Sequence, residues 1–323
     1  MNNGSPTAYL LWAILASIFL IFLTVHLWLY DKFNCLRWNS GRQPGAFKRV
    51  MTYSYLGTVP LLVVFSTAMA TAKVKEALAS MTENCGPVVP NLLSLWSPAH
   101  KQWLLPLAFM LSFAWALELC VYGSHLSLPE LTFWLFLLHQ GPGKREWFHS
   151  WEFRIWLCGA IISVLGLPLT AVIARNSIET TQAWIFLVGS SANTLTTIAF
   201  IYVLLRFPAF LQQVKDGGAD PDVVVRLATF FNMNRIRVVF RFLFTIPLLL
   251  VAGDAIMAPF PIIGTPIATD FLLMTGAIGC FVSSAITLLI FFPRSITREE
   301  GYRAKVVSPH QSDKAPTSPL PEY

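Results

Sequence analysis

The sequence predicts an all-α, polytopic membrane protein: a seven-transmembrane helix bundle with its N-terminus outside and its C-terminus cytosolic. Three observations predict it. Of 323 residues, 55% are hydrophobic and only 12% charged, about half the charge of a soluble domain. The apolar residues gather into seven long blocks nearly free of charge. Each is on the order of 20 residues, enough to cross about 30 Å of hydrocarbon. The Lys and Arg residues crowd into alternate connections between these blocks, which is the positive-inside pattern.

The first span covers residues 8–30. It lacks the basic flank and small-residue cleavage site of a signal peptide, so it is expected to be retained. The second covers 51–72, and a long connection from Lys73 to His100 leads to the third at 103–122. The fourth, 155–174, is followed after a brief connection by the fifth, 182–205. Arg206 to Arg241 forms the next connection, with an Asp-Gly-Gly-Ala-Asp-Pro-Asp turn at Asp216–Asp222. The sixth span is 242–258 and the seventh 271–292. Pro60, Pro106, Pro168 and Pro247 are expected to kink four helices. The chain thus divides into a membrane domain, 1–292, and a polar, Pro/Ser-rich cytosolic tail, 293–323, expected to be disordered.

Charge sets the orientation. Nineteen of the 23 Lys and Arg residues fall on one side: in 31–49, 144–154, 206–241 and the tail. Lys73, Lys75, Lys101 and Arg175 are the four on the other. The net charge of +6 is therefore a topology signal, and no nucleic-acid partner is expected. The count requires that Leu126–Gln140 does not cross. That stretch has an apolar core of only Leu131–Leu138 and fits an interfacial or re-entrant segment. After its Gly-Pro-Gly break come Lys144, Arg145, Trp147, Phe148, His149, Trp151, Phe153 and Trp156. An aromatic belt at the headgroups explains these rings; a docking surface is the sharper alternative.

Ionisable groups within hydrocarbon are the usual functional pointers, because they are costly there. Glu118 lies in the third span and Asp254 in the sixth, while His26 and Asp270 lie near helix ends, where snorkelling lowers the cost. Glu118 and Arg241 occupy the same half of the membrane, so an ion pair is expected. The fifth span carries Ser190, Ser191, Asn193, Thr194, Thr196 and Thr197, and the seventh Ser283 and Ser284. Such residues serve helix packing or line a pocket. The candidate ligand-binding set is Glu118, Ser190, Asn193, Thr194, Asp254 and Ser283. Arg226, Arg237 and Arg241 are spaced to share one helix face. With Lys144, Arg145, Trp147 and Trp151 they form the candidate partner-binding set, against anionic lipid headgroups or an acidic cytosolic protein. Five scattered cysteines form neither a disulfide framework nor a metal spacing, and no cofactor is expected.

Seven spans with this orientation resemble G-protein-coupled receptors in topology alone. The rhodopsin-like motifs are missing: Glu118-Leu119-Cys120 lacks an arginine, and Phe292-Pro293-Arg294 is no Asn-Pro-x-x-Tyr. The expected function is that of a receptor-like, non-enzymatic multi-pass protein of the plasma membrane or an endomembrane. It would couple an outside or lipid-derived ligand to a cytosolic signalling protein. A transporter or channel is the alternative, and a membrane-embedded lipid-modifying enzyme a more distant one. In sealed vesicles with the cytosolic face outward, a C-terminal tag should be digested by added protease; a protected tag would reverse the orientation.

Overall fold

In hydrocarbon a peptide group has no water to bond, so each spanning segment satisfies its own backbone as a helix. The computed structural model describes residues 4–33, 36, 46–84, 104–122, 151–176, 178–218, 221–257 and 262–292, and no strand occurs among them. Among the described residues seven α-helices follow one another: α1 (Pro6–Asp31), α2 (Ala46–Asn84), α3 (Leu104–Tyr122), α4 (Trp151–Ile173), α5 (Ile178–Asp216), α6 (Pro221–Ile256) and α7 (Pro266–Phe291). A single 3-10 turn, Ala174–Asn176, joins α4 to α5. Each expected span is present as a helix. α1, α2, α5, α6 and α7 are long and apolar enough to cross a membrane, and α3 and α4 carry shorter apolar stretches, Leu105–Leu119 and Ile161–Ile173. The Leu126–Gln140 stretch, Lys144, Arg145, Trp147 and the tail from Pro293 lie outside the described residues.

Successive helices pack against each other around a ring, α7 returns to α1, and α3 also meets α5 across it. All belong to one unit, Met1–Phe292. The ring is closed at both ends of α1. At one end Ser5 caps α1, its hydroxyl accepting from the Ala8 N–H at 3.4 Å, while its own N–H donates to Asp270 at 2.7 Å. Trp12 adds a bond from its indole N–H to the Leu273 carbonyl at 3.0 Å. At the other end the buried His26 ring bonds the Phe292 carbonyl at 3.0 Å. His26 and Asp270, the ionisable groups near helix ends, both fasten α1 to α7. A cluster of Phe19, Leu23, Tyr55, Val59 and Leu288 fills the space beside His26.

The largest departure from expectation is the 206–241 connection, which is helical apart from its turn. α5 has 39 residues and α6 has 36, roughly 58 and 54 Å of helix, nearly twice the hydrocarbon thickness. They form one hairpin. Its turn is made by the Gly217 and Gly218 N–H groups, which bond the carbonyls of Gln213 and Lys215. Gly218 has φ +75°, a left-handed setting that glycine adopts without steric cost, and Pro221 opens α6, where a missing N–H is harmless. Phe207 stacks on Phe231 at 5.4 Å and packs against Phe210 and Phe230, so the hairpin has its own apolar seam. Arg206 and Pro208 interrupt the hydropathy after Leu205, yet α5 runs through both.

Pro60, Pro168 and Pro247 lie inside helices. Pro106 instead lies in the first turn of α3, where proline fits without a kink, which corrects that expectation. Pro247 removes the amide that would bond the Leu243 carbonyl, and Gly279 of α7 packs against that turn. A Cβ at Gly279 would sit 2.5 Å from the Phe244 nitrogen and 2.7 Å from the Leu243 carbonyl carbon. Backbone stands on both sides, so no side chain can rotate away. Gly279→Ala should cost about 1–3 kcal/mol by overpacking. Gly253→Ala, with nothing within 4 Å, should cost nothing; thermal unfolding in detergent micelles compares the two.

Candidate functional site

Two layers of side chains meet in the middle of the bundle because antiparallel helices place matching i, i+3 pairs at one level. On α3 the pair is Trp115 and Glu118; on α6 it is Phe244 and Arg241. The aromatic layer stacks Trp115 on Phe244, with centroids 5.1 Å apart and planes within 9°. Phe186 meets Trp115 edge-on at 6.2 Å, and Trp12 meets Phe244 at 6.3 Å. Gly189 of α5 makes room for the indole, since a Cβ there would lie 2.8 Å from it. The polar layer holds Glu118, Arg241 and Asn193. Arg241 is fully buried, donates from Nη2 to the Asn193 Oδ1, and interacts electrostatically with Glu118. Of the expected Glu118–Arg241 ion pair the structure shows charge attraction across the layer, while the direct hydrogen bond of the guanidinium goes to Asn193 of α5. One turn along, the buried Arg237 lies over the Phe200 ring, 5.5 Å from its centroid.

Glu118 also faces a cavity. Two compartments of about 30 Å³ each share Trp12, Thr58, Leu62, Glu118 and Cys280 as walls. One extends past Trp115, Phe186 and Phe244; the other passes between Phe19, Tyr55, Phe281 and Ser284. Each has room for roughly two waters. The Glu118 Oε1 and Thr58 Oγ1 atoms are buried and have no hydrogen-bond partner among the described residues. Buried polar atoms are nearly always bonded, so these two, on one cavity wall, mark it as a place for a guest. Among the described residues no group of three or more His, Cys, Asp or Glu could hold a metal.

The sequence-derived candidates separate. Glu118 and Asn193 meet in the polar layer. Ser190 donates to the Phe186 carbonyl and Ser283 to the Cys280 carbonyl, so both hydroxyls serve their own helices. Thr194 Oγ1 is buried without a partner among the described residues and is not a cavity wall. Asp254 stands thirteen residues from Arg241 on α6, roughly 20 Å by helical rise. Its carboxylate accepts from the Ile262 and Ile263 N–H groups at 3.1 and 2.7 Å, closing the α6–α7 loop, and it does not line the two compartments. Of the partner-binding set, Arg226 is exposed, but Arg237 and Arg241 are fully buried and offer nothing to a protein docking outside. Trp151 opens α4, and its side chain is not among those described. Sequence reasoning missed Thr58, Trp12 and Cys280. An apolar-block reading treats single hydroxyl, thiol and indole groups as part of the block, so only the fold could bring them to Glu118. No protein family, curated protein or solved structure matches the chain.

Breaking one side of a buried charge pair strands the other and costs several kcal/mol, whereas removing both is far milder. Arg241→Met should therefore destabilise by about 3 kcal/mol, and adding Glu118→Gln should return part of that loss. Strictly additive losses in the double variant, measured by thermal unfolding, would dissolve the coupling.

Proposed function

We propose that this protein is receptor-like: occupancy of the central cavity is passed through Glu118 to α6, and so to the α5–α6 hairpin, which a cytosolic signalling protein reads. The observation that carries this is the position of one carboxylate. Glu118 has the cavity on one side and Arg241 on the other, and Arg241 stands where the hairpin enters the bundle. A guest that changes how Glu118 is satisfied changes how firmly α6 is held, because a buried charge and its partners act as a unit. With the N-terminus outside, the hairpin's far end is cytosolic.

The hairpin also has the surface such coupling needs. Arg206, Lys215, Arg226 and Arg235 are exposed along it, and Arg206 and Arg235 cover the Tyr202 and Phe231 rings at 5.7 and 5.8 Å. Complementary charge of this kind mainly speeds encounter with an acidic partner. The cations nearest the bundle also suit anionic headgroups of the inner leaflet.

The test is amide hydrogen exchange on the full chain in lipid nanodiscs. Glu118→Gln should raise exchange in α6 and the hairpin while α1 and α2 keep their protection. A uniform rise over all seven helices, or no change in the hairpin of a folded variant, would defeat the coupling.

A further inference from the structure

We infer that the cavity guest is a small primary ammonium ion with a short alkyl tail, held by Glu118 and Thr58; this rests on the receptor-like reading of the same cavity. The acceptors come first. A primary ammonium has three donors and no acceptor. The cavity offers it two buried oxygens without partners among the described residues, the Glu118 Oε1 and the Thr58 Oγ1. Glu118 is 9% exposed and Thr58 6%, so both acceptors work in a desolvated place, where a charge-assisted bond is strongest.

The walls come second. Trp12, Trp115 and Phe244 form one continuous aromatic side, with centroid separations of 6.3 and 5.1 Å. Ring faces attract a cation and also accept its methylene groups. An anion would meet the Glu118 carboxylate and no cationic wall residue. A hard metal ion wants six or so oxygen ligands, and this lining is mostly aromatic and aliphatic. Size comes third: two compartments of about 30 Å³ match a few heavy atoms. A primary amine of about two carbons satisfies all three conditions.

The experiment is thermal unfolding of the full chain in detergent micelles with ethylammonium, propionate or tetramethylammonium at equal ionic strength. Saturating ethylammonium should raise the midpoint by about 5 °C, and the other two ions should leave it unchanged. Thr58→Val should demand roughly tenfold more ethylammonium for half the effect, and Glu118→Gln should abolish the effect. An equal response to propionate or tetramethylammonium, an unaltered response of Thr58→Val, or no response of the wild type at all would overturn the proposal. The last result would leave water as the occupant. Should Glu118→Gln not fold, Thr58→Val decides alone. Hydrogen exchange on the same samples separates the two readings. Ethylammonium that stabilises without altering hairpin exchange would uphold the ligand class and sink the receptor reading. Hairpin exchange that responds to Glu118→Gln but not to ethylammonium would do the reverse.

Discussion

A guanidinium with no solvent around it has to be answered by the helices that enclose it. Arg241 is such a group, and much of the centre of this bundle follows from it. Asn193 of α5 supplies a carbonyl oxygen, Glu118 of α3 supplies opposite charge, and α3 must lie across the ring to do so. Arg237, a turn away, is covered by Phe200. Burial takes these charges out of bulk solvent, which strengthens their interaction and raises the cost of separating them. Gly189 and Gly279 are the backbone's contribution, since each lets a neighbour come closer than a Cβ would allow. Such close approach is how helices hold together where lipid removes the hydrophobic drive.

The number and order of the helices could be read from the sequence because the bilayer is a blunt selector: about 20 residues without charge is a criterion that needs no tertiary information. The ends of α5 and α6 that meet at the hairpin turn escaped it. Arg206, Arg226, Arg235, Arg237 and Arg241 look like a loop to a hydropathy count, but they lie on helices that the seam of Phe207, Phe230 and Phe231 holds together. The spacing groups Arg226, Arg237 and Arg241 on one face, but Arg226 is exposed and Arg237 and Arg241 are buried. Whether a helix face looks at lipid, water or a neighbour depends on α5 beside it, which no local window contains.

The site was half visible for the same reason. Glu118 and Asn193 stand out as polar groups among apolar ones, so composition alone selects them. Asp254 was selected by the same rule, and the fold gives it to a loop, where two backbone N–H groups satisfy it. Thr58 and Cys280 are ordinary in their own helices. Only the packing of α2 and α7 against α3 makes them neighbours of a carboxylate, and nothing in either helix announces that.

The fastening of α1 has a consequence for how the molecule is made. Ser5 bonds Asp270 and His26 bonds Phe292 across 265 and 266 residues of chain, so neither bond exists until α7 has left the ribosome. At 5–20 residues per second, α1 waits on the order of tens of seconds in the bilayer with the face that will meet α7 turned to lipid. Its companion through that interval is α2, the one sequential neighbour already present. The bundle therefore grows as an open arc and becomes a ring only with its last helix, which makes α7 the keystone of assembly as well as a wall of the cavity.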